Sequence, residues 1–318
     1  MPTSLITGGA GFLGSNLTGA LLKRGHRVIV LDNFMVGSRD NLAEFAGQDL
    51  EIVEWDIRKS FDLAQDKIPD KIDFVWNLAC IASPVHYTAH PIETIETNTL
   101  GIPNVLAFAL AHGAKTLHTS TSEIYGDSLE HPQKETYWGN VNPRGDHACY
   151  KEAKRIGETI VTVMAKLHSE LDVRMVRIFN TYGPKMALHD GRMISEFVFR
   201  ALRNEPLPVD GDGTQTRSTC YVDDLVAGLL AVMDAGEQTR NDVFNLGNPD
   251  EHSVREFAEQ VIQATGSAST IEHKPARSDD VTRRRPDIGK VQSAVGWTPS
   301  TPLATGLART AEWMRGKL

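Results

Sequence analysis

"SLITGGAGFLGSNL", residues 4–17, passes from an apolar β-like run into a helical pattern across a cluster of glycines. Gly9, Gly11 and Gly14 stand in G-x-G-x-x-G spacing with Gly8 in front. Glycine allows the tight turn and the close backbone approach that a pyrophosphate needs, and the following helix aims its N-terminus at the negative charge. A Gly-rich match alone is a weak signal. Its place between a strand and a helix strengthens it, as does an acidic residue at the end of the next strand, Asp32 in "VIVLDN". A carboxylate there accepts hydrogen bonds from both adenosine ribose hydroxyls and repels a ribose phosphate, which favours NAD over NADP. Asp56, ending "EWDI", is placed either to meet the adenine or as an ordinary loop aspartate.

The same rhythm continues outward. "RVIVLD", "LEIVEW", "IDFVWNLA", "KTLHTS" and "VRMVRIF" are apolar on both faces, as strands of a buried parallel sheet are. Between them "FLGSNLTGALLKRG", "PIETIETNTLGIPNVLAFALAHG" and "CYKEAKRIGETIVTVMAKLHSE" carry helical spacing. The expectation is an α/β fold, a Rossmann-like doubly wound parallel sheet with a smaller C-terminal substrate-binding subdomain. Residues 1–179 would form the dinucleotide domain, with 218–247 packing back onto it. Residues 180–217 and 248–318 would form the subdomain, with "DGDGTQTR" as a surface loop inside the first of these.

With 318 residues, 41% of them hydrophobic and 23% charged, the composition is that of an ordinary globular protein. A net charge of −8 argues against nucleic acid as a partner. No apolar run approaches the roughly 20 residues of a membrane span. Cys80, Cys149 and Cys220 lie far apart without a CxxC pair, and the histidines show no ligand spacing, so no metal site is expected. With the dinucleotide loop almost at the first residue and no leader ahead of it, the expectation is a cytoplasmic protein.

Two further stretches carry chemistry. "HTSTSEIYG", residues 118–126, gathers hydroxyls and one carboxylate at a strand end. Tyr150 and Lys154 are spaced i, i+4, hence on one helix face. An unperturbed phenol is ionised only to about one part in a thousand at pH 7. A nearby ammonium and a positive nicotinamide ring would both favour phenolate and let Tyr150 act as a base.

In this order, Gly-rich loop, Ser/Thr and YxxxK, the sequence resembles the extended short-chain dehydrogenase/reductase family. The blocks "NLACIASPVHYTAHP", "TSTSEIYGDSLEHPQKETYWGNVNP", "RIFNTYGPKM", "DGTQTRSTCYVDDLV" and "RRRPDIGK" look most like its UDP-glucuronate decarboxylase branch. The resemblance implies catalytic positions at Thr121, Ser122, Glu123, Tyr150, Lys154 and Arg284. It implies a cofactor site formed by Gly8, Gly11, Phe12, Leu13, Gly14, Asp32, Asn33, Asp56, Ile57, Leu78, Ala79 and Asn98 with Tyr150 and Lys154. Tyr87, Asn180, Arg192, Arg217 and Arg284 would hold a UDP-hexuronate, with Tyr87 equally readable as core. The implied reaction is redox-neutral: oxidation at carbon-4, loss of carbon dioxide, then reduction.

An ionised Glu123 about 4 Å from the substrate acid would meet about 4 kcal/mol of repulsion at an effective dielectric near 20. Either burial protonates Glu123, or a cation compensates, the candidate being Arg284. Ile81, Asp210, "RGDHACY" and Ser218 to Cys220 depart from the branch's usual text near the nucleotide and sugar pockets. The rival readings are a UDP-hexuronate 4-epimerase, which carries a small hydroxyl residue where Glu123 stands, a sugar 4,6-dehydratase, which carries Asp where Ser122 stands, and an inactive NAD-sensing binding protein. The family commonly dimerises through two helices, here the one around "TLGIPNVLAFALAHG" and the one around "YKEAKRIGETIVTVMAKL", so a homodimer is expected.

Overall fold

In the computed structural model, residues 1–61, 68–69, 71–188, 191–275 and 283–318 are described, and every candidate site residue falls among them. Seven parallel strands form the central sheet: β1 (Thr3–Thr7), β2 (Arg27–Asp32), β3 (Leu50–Glu54), β4 (Phe74–Asn77), β5 (Lys115–Thr121), β6 (Val173–Ile178) and β7 (Val243–Leu246). Their order is β7-β6-β5-β4-β1-β2-β3. The chain therefore reverses direction between β1 and β4, the switch point at which doubly wound sheets bind ligands beyond the carboxyl ends of their strands.

The inner strands are buried along most of their length because helices cover both faces, whereas the edge strand β3 is partly exposed. On β1, Ile6 joins a cluster with Leu17 and Leu229 of the helices Phe12–Lys23 and Val222–Asp234, whereas its neighbour Leu5 joins Val105 and Ala109 of the helix Ile102–His112. The first cluster does not stop at the sheet. It runs on through Phe197, Val209, Phe257, Leu307 and Met314, so the sheet and the C-terminal segments share one continuous core.

The segment expected to be one long helix, residues 91–113, is broken. Helix Pro91–Glu96 passes into a π-helical turn, Thr97–Gly101, before helix Ile102–His112. "DGDGTQTR" differs more. Its last residues are a strand, Thr216–Ser218, in the middle of a small sheet, antiparallel to Glu251–Ser253 and parallel to Arg283–Arg284. Gly and Asp signal a turn, correctly for residues 211–215, but the strand that follows is created by partners 33 and more positions away in sequence. That sheet carries Arg284 to the site.

Candidate active site

A cleft of about 380 Å³ opens where β1 and β4 diverge. Gly8, Gly11, Phe12, Leu13, Gly14, Asp32, Asn33, Asp56, Ile57, Leu78 and Ala79 line it, as do Tyr87, Thr121, Ser122, Glu123, Tyr150, Lys154, Asn180 and Arg192. Asn98, Arg217 and Arg284 do not. Asn98 sits in the π-turn behind the wall, where its amide donates to the Thr94 carbonyl at 2.8 Å and to Cys80 Sγ at 3.5 Å. Cys80 does line the cleft, so Asn98 contacts the wall from behind. Arg217 belongs to the small sheet, in register with Arg284.

The Gly-rich loop is shaped as a phosphate cradle. Gly8 has φ +71°, and a Cβ there would lie 2.8 Å from the Ala79 backbone. A Cβ on Gly14 would come within 2.2 Å of the Gly8 carbonyl, so only glycine lets the helix Phe12–Lys23 close onto the loop. Asp32 is buried at the end of β2 and accepts from the Ala10 and Phe34 amides, each at 2.9 Å. Burial raises its pKa, and those two hydrogen bonds pull the other way. Each oxygen keeps a lone pair for a ribose hydroxyl. Asp56 is engaged by the Arg58 guanidinium, at 2.7 Å to one oxygen. Burial works against ionisation, yet the Arg58 and Asn33 hydrogen bonds outweigh it and hold Asp56 below the usual carboxylate range. The residues present thus fit a dinucleotide.

At the reactive end, β5 delivers Thr121, whose hydroxyl accepts from the Glu123 amide at 3.2 Å and starts a 3-10 turn, Ser122–Tyr125. Helix Ala148–Leu167 brings Tyr150 and Lys154 against it. Tyr150 is 6% exposed, hydrogen-bonded to Thr121 and stacked on Tyr87 with ring centroids 5.0 Å apart and planes 7° apart. Tyr87 is thus both pocket wall and part of a small buried cluster. The phenol differs from the sequence expectation. Burial, with the Cys80 and Tyr87 groups, pushes its pKa up, and the Thr121 hydrogen bond and Arg192 only partly oppose this. Lys154, 3% exposed, donates to the Thr119 carbonyl at 2.9 Å.

Glu123 is neither solvent-facing nor alone. Its carboxylate forms an ion pair with Arg284 and stands 3.9 Å from Lys151 Nζ. Arg284, with a side chain 7% exposed, also donates to the Gly126 carbonyl at 3.4 Å. Burial lowers its pKa to about 10, still far enough above neutrality to keep it charged. The cation expected to compensate a carboxylate here thus stands in contact with it. Arg283 is exposed, as a surface arginine.

Sequence reasoning missed the buried scaffold behind the pair. Glu158, on the same helix face at i+8 from Tyr150, binds Arg177 at 2.9 and 2.8 Å and accepts from Ser120 at 2.5 Å. The 150–154–158 spacing was the signal that could have revealed it. Lys151 and Cys80 were also missed, with no pattern to mark them.

The NAD dependent epimerase/dehydratase family model matches residues 4–247. The chain belongs to that family. This epimerase/dehydratase is 46% identical over 315 residues to UDP-glucuronic acid decarboxylase 1 of Arabidopsis thaliana, covering 99% of this chain and 70% of the relative. It is 44% identical to UDP-glucuronic acid decarboxylase 1 of Xenopus tropicalis, over 99% of this chain and 72% of that one. It spans 66% of the length of two further Arabidopsis decarboxylases. Among solved structures it matches a dTDP-glucose 4,6-dehydratase of Streptomyces venezuelae crystallised with NAD, at TM-score 0.87 and 29% identity, over 99% of this chain and 97% of that one. As in the rest of the family, the cofactor is NAD.

Proposed function

We propose that the protein decarboxylates UDP-glucuronate to UDP-xylose. The observation that carries this reading is the Glu123–Arg284 ion pair beside Thr121 and Tyr150, a carboxylate and a guanidinium held together where a sugar acid would lie next to the redox centre. The similarity to UDP-glucuronic acid decarboxylases over nearly the whole chain supports it.

NAD, when bound, accepts a hydride from carbon-4 and returns it, so the reaction is redox-neutral. The chain's own residues do the rest. Tyr150 takes the proton of the carbon-4 hydroxyl, through the hydrogen bond it now shares with Thr121. Its raised pKa makes it a weak acid and, once deprotonated, a strong base, so neighbouring positive charge governs its ionisation. Arg192 supplies part of that charge from the protein, and Lys154, one turn along the same helix face, would add to it. Arg284 can present its planar fork to the substrate carboxylate while Glu123 and Ser122 order a proton donor beside carbon-5. A carboxylate β to a ketone then leaves as carbon dioxide, its bonding electrons collect as an enolate, and carbon-5 takes up a proton.

The purified protein incubated with UDP-glucuronate should release carbon dioxide and a UDP-pentose, followed by mass spectrometry and NMR. A product of unchanged mass inverted at carbon-4 would make it an epimerase instead. Glu123→Gln should lower decarboxylation about 100-fold, and full activity in that variant would remove the glutamate from the chemistry.

We also propose a homodimer. Ile92, Ile95, Leu100, Ile156 and Val163 are exposed on helices that pack against one another, a face apolar enough to meet its copy. The cysteines Cys80, Cys149 and Cys220 are free thiols, which supports a reducing, cytoplasmic setting.

A further inference from the structure

We propose that Gln133 is the positioning residue that sets Arg284 against Glu123 and so determines recognition of the substrate's acid group. This rests on the decarboxylase reading. Arg284 ends a two-residue strand whose one edge is held by Thr216–Ser218, with Ser218 donating to the Arg284 carbonyl at 3.2 Å. The chain immediately beyond it is gripped by a single side chain and its backbone. Gln133 Oε1 accepts from the Arg285 amide at 2.8 Å, and its own amide donates to the Arg285 carbonyl at 2.9 Å. Its carbonyl accepts from the Asp287 amide at 2.8 Å and from the Asn245 side chain at 3.0 Å, while Nε2 donates to the Glu130 carbonyl at 2.8 Å. Gln133 is 1% exposed, so an unmade bond here is not replaced by water.

The grip is tied to the redox helix. Asn245 Oδ1 accepts from the Tyr125 hydroxyl at 2.8 Å, which accepts from Arg177 at 2.9 Å, and Arg177 is bound to Glu158 on the helix that carries Tyr150 and Lys154. A continuous buried chain therefore fixes the guanidinium relative to the tyrosine. A bidentate contact to a carboxylate tolerates little displacement, so loosening Arg285 should weaken contact with the acid and spare the rest of the nucleotide sugar.

The test compares two ligands that differ by that acid, on NAD-loaded protein: KM for UDP-glucuronate against the inhibition constant of UDP-xylose. Gln133→Met removes both side-chain hydrogen bonds at similar volume. Gln133→Asn keeps an amide but draws it back by one methylene, and serves if the first variant does not fold. In either, KM for UDP-glucuronate should rise about tenfold with UDP-xylose inhibition within about twofold of wild type. Parallel weakening of both ligands, or no change in either, would overturn the positioning role. Wild-type protein that releases no carbon dioxide from UDP-glucuronate would instead overturn the decarboxylase reading beneath it.

Discussion

At Asp32 one carboxylate serves two sets of donors. Its oxygens already accept the Ala10 amide of the Gly-rich loop and the Phe34 amide of the turn after β2, and it must still receive the ribose. Asparagine can accept only on its carbonyl side, so Asp32→Asn leaves one amide facing an NH2 group as well as losing the charge. NAD affinity should fall at least tenfold in that variant, measured by calorimetric titration at pH 7. The pH dependence has a defined sign. Burial raises the folded-state pKa, so as pH falls Asp32 takes up a proton earlier than an ordinary aspartate. Wild-type NAD affinity should therefore decline on acidification beginning above the usual aspartate range, and Asp32→Asn should lack that decline. Asp32, the glycines and the Tyr150/Lys154 pair were legible in the sequence because each is a short-range pattern with one mechanical reason. The role of Arg284 was legible only through resemblance, since a basic triplet by itself reads as solvated surface. The raised pKa of Tyr150 was not legible, because burial is a property of what packs around it.

Elements contribute through strand-to-strand polar contacts that a linear pattern does not reveal. Thr7 on β1 donates to Asn77 Oδ1 on β4 at 2.7 Å, which turns the Asn77 amide nitrogen toward His118 Nδ1 on β5 at 3.1 Å. His118 therefore carries its proton on Nε2, which has no partner in a fully buried site. Burial, aided by the Lys154 ammonium, holds its pKa well below 6.5. A base with a depressed folded-state pKa binds more protons unfolded, so stability is fully present above pH 6.5 and is lost as pH falls below it. The slope from this one group approaches about 1.4 kcal/mol per pH unit. Denaturation midpoints followed from pH 7 to pH 5 should show that loss, and His118→Asn should flatten it. The small sheet that carries Arg284 escaped the sequence reading for a related reason: residues 216–218 have no strand pattern of their own and become a strand only through Glu251–Ser253 and Arg283–Arg284.

For the molecule as a whole, the apolar face of helices Pro91–His112 and Ala148–Leu167 sets the assembly prediction. Sedimentation of the wild-type protein should give twice the chain mass, and Ile92→Glu combined with Ile156→Glu should give the chain mass with its circular dichroism retained. A monomeric wild type would exclude the proposed interface. The doubly wound parallel sheet followed from the βαβ alternation, whereas the extent of the core did not, because no local pattern says which apolar stripes will meet. The cluster that includes Ile6 and Val28 of the sheet also includes Leu307 and Met314 of the last helix. Parts that share one apolar core should unfold together, so calorimetry should record one melting transition.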